Sequence, residues 1–246
     1  MIYFQGKRIF SAIFDMDGTM FDTERLRFKT LKQAAEEIYG TPLSEATLIG
    51  SLGLSAKKAE ALARANHGDD FPYAQVRQRA DELELAHVRN HGVPIKDGLL
   101  EVLERLRKYG LTMAVATSSR RAIAEEYLIN ANVLKYFDVT VCGDEVDQGK
   151  PHPEIFLKAA SALNCLPEHC LMLEDSQNGL LSAIRAGGQP ILIEDIKPPA
   201  PEVAACALKA YTGMHGFLGD LSECMPDLGT PALTESFPPT LNQFSA

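Results

Sequence analysis

The sequence lacks the features that a membrane protein or a secreted protein would need. None of its 246 residues is tryptophan, and its aromatic content is only 7%. No apolar run approaches the roughly 18 to 20 residues needed to cross a bilayer, and the N-terminus has no charged-then-apolar signal pattern. These absences predict a cytoplasmic protein that has no membrane partner.

Positive charge is also scarce in this chain. It carries 33 acidic against 24 basic residues, which gives a formal net charge of −9. A negative chain repels nucleic-acid phosphates and anionic lipids unless a local basic stripe attracts them. The densest basic stretches here are only pairs, so the composition predicts no nucleic-acid partner.

The five cysteines are odd in number and scattered, and they form neither a CxxC pair nor a zinc-type spacing with histidine. We interpret them as reduced structural thiols. They are Cys142, Cys165, Cys170, Cys206 and Cys224. Residues 3–6 spell YFQG, which also ends a common protease-cleavage linker, and we leave them out of the fold prediction.

Hydrophobic residues at 46% and charged residues at 23% are sufficient for a packed core. Short apolar runs closed by polar or small residues predict buried strands at 9–14, 111–116, 139–141, 171–173 and 191–193. Helical spacing predicts helices between them at 99–109, 121–130, 153–163 and 178–186. This alternation predicts an α/β fold with a parallel five-stranded sheet that is covered by helices on both faces.

The stretch after the first strand departs from this alternation. It contains no strand-like run, and its pattern predicts four helices at 24–39, 44–49, 55–66 and 73–90. We therefore predict an all-helical inserted domain over 21–94 and a discontinuous core domain over 1–20 and 95–246. The tail from residue 198 is rich in proline and glycine, and we expect it to wrap the core or to be disordered.

Polar side chains follow four of the predicted strands at the point where each ends. Because the carboxyl ends of parallel strands meet at one edge of a sheet, we expect these side chains to lie together. They are Asp15 and Asp17 after the first strand, Thr117 and Ser118 after the second, Lys150 after the third, and Glu174 and Asp175 after the fourth. The fifth strand ends in Glu194 and Asp195, which are weaker candidates.

Four carboxylates at one edge require a compensating cation. Each close pair among Asp15, Asp17, Glu174 and Asp175 would otherwise repel by several kcal/mol, even at an effective dielectric of about 20. Oxygen ligands without a nearby thiolate favour a hard ion, and we predict Mg²⁺. An EF-hand calcium loop is excluded because Gly18 falls too early in the carboxylate spacing.

The other polar residues at this edge predict a phosphomonoester as the substrate. Lys150 and the Thr117 hydroxyl, together with Mg²⁺, would neutralise and hold the phosphoryl oxygens so that a carboxylate can attack. Asp15 is then the predicted nucleophile, which forms an aspartyl phosphate. Asp17 is the predicted general acid for the leaving alkoxide and the general base for the attacking water.

Four motifs in order resemble those of the haloacid dehalogenase superfamily of phosphotransferases: DMDGT, VATSS, GKPHPEIF and LMLEDSQNG. They cover residues 9–18 and roughly 98–192. The helical insertion resembles the cap of the subfamily that contains β-phosphoglucomutase and small sugar-phosphate phosphatases. The resemblance implies a Rossmann-like core in which the first strand lies between the second and the fourth.

The resemblance also implies a role for each matching residue. Asp15 is the implied nucleophile and Asp17 the implied acid/base. Magnesium is implied to bind the Asp15 side chain, the Asp17 main-chain carbonyl and Asp175, with Glu174 supporting the metal site.

For the substrate, the resemblance makes Thr117 the hydroxyl that binds the transferring phosphoryl group and Lys150 the ammonium that bridges nucleophile and phosphate. We also assign Ser118 to substrate binding. Glu24 and Arg27, near the start of the first cap helix, either face the substrate or lie on a solvated helix face. The hinges of the cap are expected near residues 20–23 and 93–97.

Two positions differ from β-phosphoglucomutase. Arg27 stands where the mutase has a histidine that supports the acid/base residue, and Gly53 stands where a phosphate-binding arginine is expected. A mutase must hold a second phosphate, so this difference favours simple hydrolysis.

We therefore predict Mg²⁺-dependent hydrolysis of a small phosphate ester, most plausibly a sugar phosphate, by a monomer or weak homodimer. The alternatives are a phosphoglucomutase-type mutase and a non-catalytic binding protein that keeps the fold.

Overall fold

The computed structural model describes residues 1–54 and 56–224, and its centre is a parallel six-stranded sheet. The sheet order is β5-β4-β3-β6-β7-β8. Its strands are β3 (Ser11–Phe14), β4 (Thr112–Ala116), β5 (Val139–Val141), β6 (Cys170–Glu174), β7 (Gln189–Ile193) and β8 (Lys209–Tyr211). The predicted α/β class and the central place of the first strand, between the second and the fourth, are confirmed.

The sixth strand corrects the prediction of five. β8 pairs in parallel with β7 and comes from the segment that we expected to be an irregular tail. It has only three residues, of which Tyr211 alone is buried, so it forms no apolar run that a sequence pattern can detect. Residues 225–246 of the expected tail lie outside the described residues.

The N-terminal residues form an antiparallel hairpin of β1 (Ile2–Phe4) and β2 (Lys7–Ile9). Gln5 and Gly6 turn the chain with positive φ angles of 47° and 75°. Phe4 is fully buried, and its ring meets Phe217 edge-on at a centroid distance of 5.6 Å. The YFQG segment that we set aside therefore contributes to the core.

Helices cover both faces of the sheet because successive side chains of each buried strand point to opposite sides. In β3, Ala12 and Phe14 join one hydrophobic cluster, and Ile13 joins the other. The covering helices are α5 (Leu99–Lys108), α6 (Arg121–Asn130), α7 (Glu154–Ala162), α8 (Gln177–Arg185), α9 (Pro201–Ala204) and α10 (Met214–Cys224). The four helices predicted between the strands all form, with ends within one residue of the prediction.

The inserted segment folds into four helices, as the sequence predicts. They are α1 (Thr23–Tyr39), α2 (Glu45–Ser51), α3 (Ala56–His67) and α4 (Tyr73–His91), and Ser55, the predicted start of the third, lies outside the described residues. Their apolar faces share a separate hydrophobic cluster around Leu48, Phe71 and Val76. The division into core and inserted domains at 20/21 and 94/95 stays a prediction.

Helix α4 is joined to core helix α6 by polar contacts. The Tyr127 hydroxyl donates to Glu84 Oε1 over 2.7 Å, and Asn130 Nδ2 donates to the Val88 carbonyl over 3.1 Å. All five cysteines, which belong to the described part of the chain, are free. No helix among the described residues is both long and apolar enough to span a membrane.

Candidate active site

Asp15 follows directly after β3 and lies at the carboxyl edge of the sheet. Its backbone N–H donates to the Leu173 carbonyl over 2.9 Å, which aligns the ends of β3 and β6. Gly18 then adopts a φ of +85°, and a Cβ on it would lie 2.5 Å from Asp175 Oδ2. Glycine is therefore required here for both backbone conformation and space, and it lets the loop after β3 approach Asp175.

Lys150 joins the first and fourth motifs. Its Nζ donates to Asp15 Oδ1 over 2.5 Å, to Glu174 Oε1 over 2.6 Å and to the Ala116 carbonyl over 2.9 Å. Burial would lower the pKa of Lys150, but Asp15 and Glu174 outweigh it and raise the pKa above its ordinary value. The ammonium therefore stays protonated and contributes one positive charge between the two carboxylates.

Asp15, Glu174 and Asp175 form a compact acidic cluster, with ligand atoms within 4.8 Å of one another. Burial, the largest cause, raises the pKa of Asp15 and of Asp175 well above their ordinary values. Three carboxylates against one ammonium leave a net negative charge in a buried place. The all-oxygen donor set and this uncompensated charge fit a hard divalent cation such as Mg²⁺.

Glu174 is held by the start of α8. Ser176 donates to Glu174 Oε2 through its backbone N–H over 3.4 Å and its hydroxyl over 3.2 Å, and the same hydroxyl caps the helix by accepting from the Gly179 N–H. A Cβ on Gly179 would fall 1.9 Å from the Glu174 carboxyl carbon. The turn residues of LMLEDSQNG thus make room for the carboxylate that orients Lys150.

Asp17 lies apart from the acidic cluster and is held by two hydroxyl groups. Thr23 Oγ1 donates to its Oδ1 over 2.8 Å, and Ser119 Oγ donates to its Oδ2 over 2.7 Å. Arg120, and not Ser119, is the N-cap residue of α6. Neither Thr23, the first residue of α1, nor Ser119, in the loop after β4, was predicted to contact Asp17.

Thr117 and Ser118 follow β4 as predicted. Thr117 is buried, and its Oγ1 accepts a hydrogen bond from the Ser119 N–H over 3.0 Å. Ser118 faces the cavity above Asp15. A Cβ on Gly143 would lie 2.2 Å from the Ser118 carbonyl oxygen, so a glycine backbone supports this loop from behind.

A cavity of about 560 Å³ opens over Asp15, which is a volume suited to a small metabolite. Its walls come from the strand-end loops, from α1 and from the segment between α2 and α3. The lining residues are Asp15, Asp17, Glu24, Gly53, Leu54, Lys58, Ser118, Lys150, Asp175, Ser176 and Asn178. Lys58 and Asn178 are additions to the residues predicted from the sequence.

Glu24 and Arg27, the two candidates on helix α1, occupy different positions relative to Asp15. Glu24 lines the cavity over Asp15, and burial together with Asp195 and Asp17 raises its pKa to about 7. Arg27 is absent from that wall and lines a neighbouring cavity of about 890 Å³, which Asp17 and Glu24 also line. Its guanidinium pairs with Asp81 and with Glu84, the latter at 2.7 Å. Only Glu24 thus lies beside the predicted nucleophile.

The carboxylate of Asp195, at the end of β7, is held by two basic side chains. Asp195 Oδ1 accepts from Lys96 Nζ over 2.6 Å and from Arg25 Nη1 over 2.7 Å. These contacts join β7 to the start of α1 and to the segment after α4.

The parallel sheet and the group of Asp15, Lys150, Glu174 and Asp175 at its carboxyl edge define a class of α/β protein, one with a buried acidic site that is suited to phosphoryl-group chemistry. The comparisons with known proteins narrow that class. Residues 12–193 match the model of the haloacid dehalogenase-like hydrolase family, and the chain belongs to that family. The resemblance stated from the four motifs is thereby confirmed.

The similar proteins include two named sugar-phosphate enzymes. The chain is 35% identical over 182 residues to the phosphorylated carbohydrates phosphatase of Thermotoga maritima, covering 72% of this chain and 81% of that protein. It is 30% identical over 190 residues to the fructose-1-phosphate phosphatase YqaB of Escherichia coli, covering 74% of this chain and 94% of that protein.

A solved structure shows the same fold. It is that of CbbY from Rhodobacter sphaeroides in complex with phosphate, which superposes with a TM-score of 0.71 over 87% of this chain and 99% of that one, at 24% identity.

Proposed function

We propose that this protein hydrolyses a small phosphomonoester of the sugar-phosphate class in a Mg²⁺-dependent reaction through an aspartyl phosphate on Asp15. The observation that carries the proposal is the position of Lys150, which is bound to Asp15 and Glu174, the two carboxylates that group with Asp175. The names of the two sugar-phosphate relatives support sugar phosphates as the substrate class.

Asp15 performs the first chemical step. One of its carboxylate oxygens attacks phosphorus, a new phosphorus–oxygen bond forms, and the ester bond to the leaving alkoxide breaks. Lys150 reduces the repulsion between the carboxylate and the incoming phosphoryl oxygens because its ammonium contacts the attacking residue. The Thr117 and Ser118 loop, beside Asp15, holds the phosphoryl group.

Asp17 performs the proton transfers. It gives its proton to the leaving alkoxide, and it then takes a proton from the water that hydrolyses the aspartyl phosphate. The hydroxyl groups of Thr23 and Ser119 hold the Asp17 carboxyl in place for both steps.

Magnesium fits the acidic cluster. The Asp15 and Asp175 side chains and the Asp17 main-chain carbonyl would hold it, and Glu174 would support it from beside the cluster. When bound, it supplies positive charge at the phosphoryl oxygens. Thr19 Oγ1 donates to Asp175 Oδ1 over 2.9 Å and so orients this ligand.

Residues 21–94 form, in this proposal, a cap domain over a core of residues 1–20 and 95–246. The cap contributes Glu24, Gly53 and Leu54 to the wall of the cavity. Its closure excludes bulk water while Asp17 transfers its proton, and its opening releases the products.

Asp15→Asn tests the nucleophile. We expect the variant to lose hydrolysis of a generic phosphate ester by about a thousandfold or more, because the amide is a poor nucleophile. Mass spectrometry of acid-quenched wild type should show phosphate on Asp15. The matched control, Asp69→Asn, changes an exposed aspartate outside the cavity and should keep full activity. Magnesium-dependent hydrolysis by a correctly folded Asp15→Asn protein would refute the assignment.

The mutase is the second candidate, and Gly53 bears on it. This residue lines the cavity without a side chain, where the mutase has a phosphate-binding arginine. Incubation with β-glucose 1-phosphate separates the two activities: hydrolysis releases glucose and phosphate, whereas mutase activity yields glucose 6-phosphate. We expect glucose and phosphate.

A further inference from the structure

A second cavity of about 330 Å³ adjoins the one over Asp15. The two share seven lining residues, which are Glu24, Gly53, Leu54, Lys58, Asp175, Ser176 and Asn178. The second cavity adds residues from the segment after β7, among them Lys197. A substrate whose phosphoryl group lies at Asp15 can therefore extend the rest of its structure into this space.

Two lysines from different parts of the chain face this second cavity. Lys58 belongs to α3, and Lys197 follows β7. Lys197 Nζ donates to the Leu52 carbonyl over 3.1 Å, which is a neutral acceptor. Lys58 makes no hydrogen bond or ion pair to any residue that the structure describes, so neither positive charge is neutralised by a carboxylate at salt-bridge distance.

Within the described part of the chain, Lys58 shares its unpaired state with Lys57, the preceding residue of α3, and differs from it in lining both cavities, whereas two arginines of α3 and α4 have carboxylate partners. Arg64, also on α3, pairs with Glu60 over 3.0 Å, and Arg79 on α4 pairs with Glu37 over 2.7 Å. Glu24 shares the cavity with Lys58, but it groups with Asp175 and Asp195, with ligand atoms within 4.8 Å of one another. Glu24 therefore belongs to the acidic edge.

The loop that leads to Lys58 is fastened to the core. Asn178 Nδ2 donates to the Gly53 carbonyl over 3.4 Å, and Lys197 holds the carbonyl of the preceding residue, Leu52. These two contacts fix the backbone between α2 and α3 against α8 and the segment after β7. They bring Lys58 and Lys197 to the same cavity.

We propose that Lys58 and Lys197 form a subsite for a second anionic group of the substrate, separate from the phosphoryl group that Asp15 attacks. The inference rests on the proposed hydrolysis and makes its substrate class narrower: a phosphate ester that also carries a carboxylate or a second phosphate. Carboxylate and phosphate both present anionic oxygens that accept hydrogen bonds from an ammonium. The substrates of the test distinguish the two groups.

The test compares kcat/KM for pairs of phosphate esters that differ in one anionic group. One pair is 6-phosphogluconate and glucitol 6-phosphate, which are both open-chain, and the other is fructose 1,6-bisphosphate and fructose 1-phosphate. Wild type should prefer the member that carries the additional anionic group in at least one pair. Lys58→Ala should lower kcat/KM for that member by about fivefold and change kcat/KM little for the member without the additional group. Lys58→Glu should lower it further.

The neighbouring residue supplies the control. Lys57 is exposed and lies outside both cavities, so Lys57→Ala should change neither member of a pair. A preference confined to the first pair identifies a carboxylate, and one confined to the second identifies a phosphate.

Equal effects of Lys58→Ala on both members of each pair, or a wild-type preference for the members without the additional anionic group in both pairs, would overturn the subsite. Failure of the proposed hydrolysis is distinguishable because wild type would then release no phosphate from any of the four substrates.

Discussion

Lys150 uses all of its donors within the protein. An ammonium has three N–H groups, and here they go to Asp15, Glu174 and the Ala116 carbonyl. A phosphoryl oxygen that binds to Lys150 must therefore replace one of these acceptors or share its donor. Of the two carboxylates, Glu174 is the more firmly held, since it also accepts from Ser176 and lies against Gly179. The contact with Asp15 or with Ala116 is thus the one that rearranges when substrate binds.

Glu24 provides a prediction about pH at the scale of one residue. Burial, followed by repulsion from Asp195 and Asp17, raises its pKa from 4.5 to about 7. A raised carboxyl pKa means that ionisation destabilises the folded state, so this cost appears as pH rises from 4.5 to about 7. With a metal chelator present, Glu24→Gln should be more stable than wild type above that range, by about 2 kcal/mol, and should lose this advantage at about pH 4.

Urea unfolding at several pH values measures the effect. Glu45→Gln is the control, because the Glu45 side chain is 81% exposed and only pairs with Lys32 at 3.2 Å. It should change stability little at any pH. A Glu24→Gln advantage that stays constant with pH, or that grows as pH falls, would contradict the assignment.

The hairpin of β1 and β2 shows how a short element completes the core. Its three-residue strands make few hydrogen bonds, yet Ile2 and Phe4 point inward and pack with the helix α10. Phe217 on that helix lies between Phe4 and Tyr211, with centroid distances of 5.6 Å to each ring. The hairpin therefore joins the N-terminus, β8 and α10 into one apolar layer on one face of the sheet.

Phe4→Ala tests the contribution of this element. Removing a fully buried aromatic ring should lower the free energy of unfolding by about 3 to 5 kcal/mol, because the ring's burial is lost and a cavity remains. Tyr3→Ala is a matched control, since Tyr3 is adjacent but 59% exposed, and it should change stability by less than about 0.5 kcal/mol. Equal denaturation midpoints for the two variants would show that the hairpin is not part of the folded core.

In the whole molecule, the sheet edge supplies the proposed catalytic groups, and the inserted helices supply much of the cavity wall. The sheet brings the acidic cluster and Lys150 together, whereas α1 and the segment from α2 to α3 form much of the wall opposite. The Tyr127–Glu84 hydrogen bond and the Arg89–Glu126 ion pair fix α4 to the core at one side. These contacts hold α4 against α6.

Magnesium should stabilise the whole fold, and the effect should depend on pH. Burial raises the pKa of Asp15 and Asp175, so without metal their ionisation destabilises the protein as pH rises above their ordinary range. Magnesium binds the ionised form and offsets that cost. The increase in Tm on adding Mg²⁺ should therefore be several degrees at about pH 8 and should shrink towards about pH 5.

Differential scanning fluorimetry at matched ionic strength measures this shift. Asp175→Asn should lose most of it, because one ligand and one charge are removed, whereas the exposed control Asp69→Asn should keep it. A Tm increase that is the same for wild type and Asp175→Asn would place the ion elsewhere.

The amino-acid sequence by itself determined the α/β class, the helices of the insertion, the family, and the meeting of Asp15, Lys150 and Asp175 at one edge. It could do so because local periodicity marks each element, and parallel strands necessarily bring their carboxyl ends to the same side. Glu24 could be named as a candidate on the same grounds, but its alternative, a solvated helix face, could not be eliminated.

Only the tertiary structure decided the contacts between residues that are far apart in the chain. Ser119 reaches Asp17 across 102 positions, Asn178 reaches Gly53 across 125, and β8 finds its place only beside β7. Phe4 is buried because α10 returns to cover it. Such contacts depend on how whole helices and strands pack. The sequence around a residue therefore does not identify the distant residue that it will contact.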